Sequence, residues 1–379
     1  MLSPVLAVRK NNGQCSAFAI CDDLFMRLSV FVSTLLLCCS LCGFSQVSPQ
    51  ESDWSIPEFQ FKNGEKADPL RIHYTTLGKP IRDAAGHVTN AVLILHGTGG
   101  SGKQFLSPQF ADVLFGNGQL LDASKYFIVL PDDIGHGRSS KPSDGLHARF
   151  PHYGYRDMVE AEYRLLTEGL QVDHLRLVMG TSMGCMHSWL LGEEYPAMMD
   201  ALMPLACLPV PIAGRNRIWR KMLSTVIRSD PEWKNGEYRE QPPSLNTAID
   251  LLILAGSAPL QMQKAASTPK LADELLAQQA AQRRQTTDVN DLLYAVESSS
   301  DYDPSRDLEK IQAPVMHINS ADDFINPPEL GIAEREIKRV KHGKFVLLPA
   351  SDSTVGHGTH TKAVVWESHL QELLSESSH

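Results

Sequence analysis

Five short apolar runs, each closed by turn residues, constrain what this chain can fold into more than any other feature. Residues 92–95 (VLIL) end at His96-Gly97, 126–130 (YFIVL) at Pro131-Asp132, and 175–179 (LRLVM) at Gly180. Residues 315–318 (VMHI) end at Asn319-Ser320, and 345–348 (FVLL) at Pro349. Near-continuous apolar runs of this length suit strands buried on both faces, as in a parallel sheet. Helical patterns lie between them, and strands alternating with helices imply a doubly wound α/β sheet. From about 212 to 300 the pattern becomes helical without a convincing strand; good helix formers run from Leu271 to about Arg284. An all-helical insertion between sheet strands reads as a lid. A chain of 379 residues has room for one large α/β domain carrying such an insertion. Its 35 Lys and Arg against 44 Asp and Glu leave a formal net charge of −9, with no basic stripe, which argues against a nucleic-acid partner.

The chemistry concentrates at the ends of these runs. Gly180-Thr181-Ser182-Met183-Gly184 follows one run and precedes an amphipathic segment with Met186, Trp189 and Leu190. A G-x-S-x-G sequence there makes a sharp strand-to-helix turn that lifts the serine hydroxyl above the sheet. Asp322-Asp323 follow a later run, and His357 lies beyond the last one in Val355-Gly356-His357-Gly358. The order serine, acid, histidine at strand ends resembles the α/β-hydrolases. In that reading Ser182 is the nucleophile, His357 the general base and acid, and Asp323 the group that fixes the histidine tautomer. Asp323 is preferred over Asp322 because Asp-x-x-x-Pro (Asp323 to Pro327) is the usual spacing in that family. Asp322 is then a loop cap, and His360 a neighbour of the working histidine or a surface residue. His96-Gly97-Thr98-Gly99-Gly100 follows the first run, where one oxyanion-hole amide is expected; Thr98 and Met183 are the two donors assigned. The same loop lacks the Gly-Lys-Ser/Thr ending of a phosphate loop. Histidines 136, 147, 152, 187 and 317 are scattered, without metal-ligand spacing, so neither a metal nor a cofactor is expected.

The N-terminal region has its own signature. Arg27 precedes an apolar run at 30–42 (VFVSTLLLCCSLC), and Gly43 and Ser45 stand at −3 and −1 of a cut after Ser45. That is the pattern of a secretory signal peptide, shorter than the ~20 residues of a spanning helix. No clean lipobox precedes Cys38, Cys39 or Cys42, and no stable membrane insertion is expected after cleavage. Met26-Arg27-Leu28 would itself make an ordinary signal start, so residues 1–25 read as an over-long start. Of 7 cysteines, only Cys185 and Cys207 follow residue 46. Both sit in apolar surroundings and read as small core residues rather than bridge partners. The expected organisation is a signal region at 1–45, a linker at 46–60, core at 61–211, a helical lid at 212–300 and core again at 301–379.

Taken together, residues 60–370 resemble the homoserine O-acetyltransferase-like branch of the α/β-hydrolases. Beyond the triad, the resemblance rests on Phe150-Pro151, on the S-M-G form of the elbow, and on Asp230-Pro231-Glu232-Trp233 with Gly236 and Tyr238. It implies an α/β-hydrolase fold with a lid, a homodimer through that lid, and double displacement through an acyl-Ser182. Three features depart from it. Ile249 stands where the family's G-L-x-x-A-R segment carries a carboxylate-binding arginine, and isoleucine cannot make that contact. Gly135-His136-Gly137-Arg138-Ser139-Ser140 is closer to esterase relatives. An exported enzyme would also lack cytoplasmic acetyl-CoA. The preferred reading is an exported serine hydrolase acting on a small-molecule carboxylic ester or related acyl substrate. The alternatives are O-acyl transfer from a CoA thioester to an alcohol, and a non-catalytic binding protein on the same fold.

Overall fold

The computed structural model describes residues 47–377. The expected signal region at 1–45 and the over-long start at 1–25 lie outside the described residues. Eight strands form one sheet: β1 (Gln50–Ile56), β2 (Leu70–Leu77), β3 (Ala91–Leu95), β4 (Phe127–Pro131), β5 (Leu177–Thr181), β6 (Leu202–Leu205), β7 (Val315–Ser320) and β8 (Gly343–Leu348). Their spatial order is β1-β2-β4-β3-β5-β6-β7-β8. β1 pairs antiparallel with β2 and β2 antiparallel with β4; from β4 to β8 every pair is parallel. Strands β3 to β7 are buried at every residue, which is why their sequences are apolar throughout rather than alternating.

One assignment made from the sequence is overturned here. The segment at 46–60, read as linker, holds β1 and a short pairing of Phe59–Gln60 with Lys66–Ala67. β1 is an edge strand with most side chains exposed, so its sequence is polar even though each of its residues pairs with one of β2.

Helices cover both faces: α1 (Pro108–Leu114), α2 (Tyr155–Arg164), α3 (Met183–Glu194), α4 (Gly214–Arg228), α5 (Ser244–Gly256), α6 (Pro259–Ala265), α7 (Pro269–Arg284), α8 (Val289–Glu297), α9 (Ile332–Glu336) and α10 (Glu367–Glu376). One face of the sheet packs on α2 and α3 through Tyr155, Met158, Trp189 and Leu190; the other packs on α1 and α10 through Phe110, Leu114, Leu370 and Leu373. Between β6 and β7, α4 to α8 enclose a third apolar core of their own, with Trp219, Leu223, Trp233, Ile249 and Leu293. Side-chain caps start two of these helices: Thr268 accepts the Leu271 amide at α7, and Asp288 accepts the Asn290 and Asp291 amides at α8. Asp230 ties the segment together by accepting the amides of both Glu232 and Ser244.

Candidate active site

The turn between β5 and α3 carries Ser182 at φ 56°, ψ −106°, a positive-φ backbone that strains any residue with a side chain. Two close approaches hold it there. A Cβ on Gly180 would collide with the Gly184 carbonyl oxygen, and one on Gly184 with that of Leu95. Glycine at both positions lets β5, α3 and β3 converge beneath the serine. The hydroxyl also stands at the N-terminus of α3, where backbone N–H groups favour negative charge.

His357 lies in the loop after β8, with Nε2 2.7 Å from Ser182 Oγ. Its Nδ1–H donates to Asp323 Oδ2 at 2.9 Å. Asp323, in the turn after β7, also accepts Asn326 Nδ2–H on Oδ2 at 2.9 Å and the Ile325 amide on Oδ1 at 2.7 Å. Burial alone would raise its pKa; His357 and these donors outweigh burial and hold the carboxyl below its usual value. Asp322 points elsewhere. Its Oδ2 accepts Thr354 Oγ1–H at 2.9 Å and the Gly356 amide at 3.1 Å, and its Oδ1 accepts the Ser320 hydroxyl. It therefore shapes the loop that presents His357. His360 packs edge-on to His357, ring centroids 5.4 Å apart. Burial first, and then the neighbouring His357, lower its pKa to about 3, so it stays neutral.

The loop after β3 comes up against Ser182. A Cβ on Gly97 would lie 3.2 Å from Ser182 Cβ, so Thr98 follows directly on the closest approach. Among the described residues, the backbone amides of Thr98 and Met183 donate to nothing in the protein, which leaves two N–H groups for a developing oxyanion. Asp132 fixes this loop by accepting the Gly102 amide at 2.7 Å and the Arg138 amide at 2.8 Å. The lid reaches the same site from above. The Gln261 side chain donates to the Thr354 carbonyl at 2.9 Å, and Ser257 packs on Gly356. A mainly apolar cavity of about 960 Å³ runs between Leu254, Ser257 and Met262 and the turn after β7; of Ser182, Asp323 and His357 only Asp323 is among its lining residues.

The fold also brings together residues that are far apart in sequence. Cys185 and Cys207, read as separate small core residues, form a disulfide with Cα atoms 5.9 Å apart. Parallel pairing of β5 with β6 sets the first turn of α3 beside the residue that leaves β6, a juxtaposition no spacing rule reports. Two of the scattered histidines, His136 and His187, come near one another too. Asp133, Glu162 and His187 place donor atoms within 4.8 Å of one another, and the His96 ring lies 5.2 Å from that of His136. Burial pushes the Glu162 carboxyl up to about 8 and Asp133 well above its usual value. Within this group His187 Nδ1 bonds Glu162 Oε1 at 2.8 Å, while among the described residues neither carboxyl oxygen of Asp133 has a hydrogen-bond partner. The other group with metal-like spacing, Cys185, Cys207 and His317, has both sulfurs committed to the disulfide. Ile249 is wholly buried in the core of the lid, and the deeply buried lid cation is instead Arg220, 3% exposed. Its signal in the sequence was a charge on the apolar stripe of α4, beside Trp219 and one turn from Leu223.

Residues 90–351 match the family model described as alpha/beta hydrolase fold. A protein of Methanothermobacter thermautotrophicus named "Probable acyltransferase" is 29% identical over 280 residues, covering 74% of this chain and 84% of that one. A homoserine O-acetyltransferase of Thermobifida fusca is 32% identical over 195 residues, covering 48% of this chain; the matched region spans 50% of that relative's length. Among solved structures, an acetylester hydrolase from Corynebacterium glutamicum superposes with a TM-score of 0.73 at 21% identity, covering 86% of this chain and 96% of that one.

Proposed function

Because the chain belongs to the alpha/beta hydrolase fold family, whose members here include relatives named acyltransferase, we propose that it cleaves a carboxylic ester or related acyl compound through an acyl-Ser182 intermediate. The observation that carries this reading is the unbroken chain Ser182 Oγ, His357 Nε2, His357 Nδ1, Asp323 Oδ2, with contacts of 2.7 and 2.9 Å. Ser182 Oγ attacks the acyl carbon while its proton passes to His357 Nε2. Asp323 stabilises the imidazolium, and the amides of Thr98 and Met183 receive the oxyanion. The tetrahedral intermediate collapses, and His357 returns the proton to the departing alkoxide. Water, deprotonated by the same histidine, then releases the acid and restores the serine. The 960 Å³ cavity would hold the apolar part of the substrate.

A second reading, transfer of the acyl group to an alcohol rather than to water, is favoured by the lid. Its α5–α6 turn packs on the residue before His357, and a site closed in this way disfavours water as the acceptor. Export of the mature protein is part of the proposal. A buried disulfide beside the nucleophile accords with an oxidising compartment. So is a homodimer through the lid, where Ile218, Met222, Leu254 and Leu260 stay exposed.

One assay separates the readings. Purified protein is given p-nitrophenyl acetate, and separately acetyl-CoA with and without L-homoserine, beside Ser182→Ala. Ester cleavage that needs Ser182, without alcohol-dependent CoA release, supports the hydrolase. CoA release that rises with the alcohol and vanishes in the variant replaces it with the transferase.

A further inference from the structure

Three cations on one face of α4 border a single pocket and, among the described residues, have no acid to pair with. Arg217, Arg220 and Lys221 stand at i, i+3 and i+4 and line a cavity of about 320 Å³ with His152, Tyr294 and Ser298. Like charges at this spacing face one another and repel. Glu297 also borders the cavity, but Arg228 holds both of its carboxylate oxygens, at 3.0 and 2.6 Å. Among the described residues no carboxylate forms an ion pair with any of the three cations.

Arg220 makes this more than a charged surface. It is 3% exposed, and what it meets is neutral. Nε donates to Asn216 Oδ1 at 3.0 Å and Nη1 to Ser299 Oγ at 3.3 Å, while the Tyr155 hydroxyl lies alongside. A guanidinium keeps its charge in proteins, and a buried charge without a counter-charge is expensive. The hydroxyls and amide around Arg220 satisfy donors but supply no negative charge. The pocket on its open side can.

We propose that this pocket, at the seam between α4, α8 and the core segment at 152–153, binds a small polyanion carrying phosphate or carboxylate groups. Arg220 offers its charge and its remaining N–H groups from the floor, and Arg217 and Lys221 close on the ligand from the rim. The volume suits a molecule of a few carbon or phosphorus centres. The pocket shares no lining residue with the 960 Å³ cavity beside Asp323, although Arg220 touches the active-site side through Asn216, which lines that cavity, and through Tyr155, whose hydroxyl lies against the Thr98 side chain.

Isothermal titration of the full chain with pyrophosphate and with citrate at low ionic strength tests this. Saturable binding is expected for at least one of them. It should weaken by about tenfold or more in Arg220→Gln, by about tenfold in the exposed pair Arg217→Gln/Lys221→Gln, and as salt rises. Tighter pyrophosphate binding assigns the phosphate class, and tighter citrate binding the carboxylate class. The paired surface variant decides the matter if Arg220→Gln does not fold. No saturation by either anion below about 20 mM, or undiminished binding in the variants that fold, overturns the proposal.

Discussion

Replacing Asp323 by asparagine isolates the acid's role without changing the shape of the site. Asp323 Oδ1 accepts two backbone amides, from Ile325 at 2.7 Å and Asn326 at 3.3 Å. An asparagine must keep its oxygen there, because an NH2 group cannot accept either bond. Its nitrogen then faces His357 Nδ1 and the Asn326 side-chain NH2. It can only donate to the histidine, which forces the proton onto Nε2, 2.7 Å from Ser182 Oγ. That tautomer cannot take the serine proton. Loss of the correct tautomer and of the imidazolium's counter-charge typically removes about 10⁴ in rate, or about 5.5 kcal/mol of transition-state stabilisation. Asp322→Asn should lose far less. Asp322 supports the loop through Thr354 and Gly356 but does not touch the imidazole, so a loss of about tenfold is expected. The assay is kcat/KM for p-nitrophenyl acetate, with near-UV circular dichroism as the check on folding. A folded Asp323→Asn variant keeping more than about a tenth of wild-type activity would refute this account, as would a larger loss in Asp322→Asn.

Three further outcomes are expected. Cys185→Ala/Cys207→Ala opens a crosslink spanning 22 residues, and urea unfolding should show about 3 kcal/mol less stability under oxidising conditions; an unchanged midpoint would mean the bridge contributes nothing to stability. Burial lifts the Glu162 carboxyl to about 8 from 4.5. Between those values the folded protein keeps a proton that the unfolded chain releases, so stability falls as pH rises through that window. Glu162→Gln removes this contribution, and unfolding free energy measured from pH 5 to 8 should decline less steeply than in wild type; an identical slope would exclude Glu162 as its source. Met262→Trp narrows the 960 Å³ cavity and should lower kcat/KM for p-nitrophenyl hexanoate by about tenfold relative to acetate. An equal effect on both esters would place the acyl chain elsewhere.

What the sequence determined by itself was local. The apolar runs at 92–95, 126–130, 175–179, 315–318 and 345–348 could be read because strands buried on both faces need no partner to look apolar. The elbow could be read because its glycines answer a clash between adjacent segments, and Ser182, Asp323 and His357 could be singled out as candidates because each lies in a segment that follows a strand. β1 could not, since an edge strand takes its stability from backbone pairing while its side chains face water. β6 could not either: it is four residues, Leu202–Leu205, and includes Pro204, which argues against a central strand. The features left to the tertiary structure join distant residues. The Cys185–Cys207 bridge needs the register of β5 on β6. The Asp133, Glu162 and His187 group needs the packing of α2 on α3 beneath the loop that follows β4. Arg220 reads in sequence as one more charge on a lid helix, and only the packing around it shows a buried cation with no acid beside it. Hydrophobic periodicity reports which way a side chain faces, and motifs report a turn; neither reports what two separate segments bring to the same point in space.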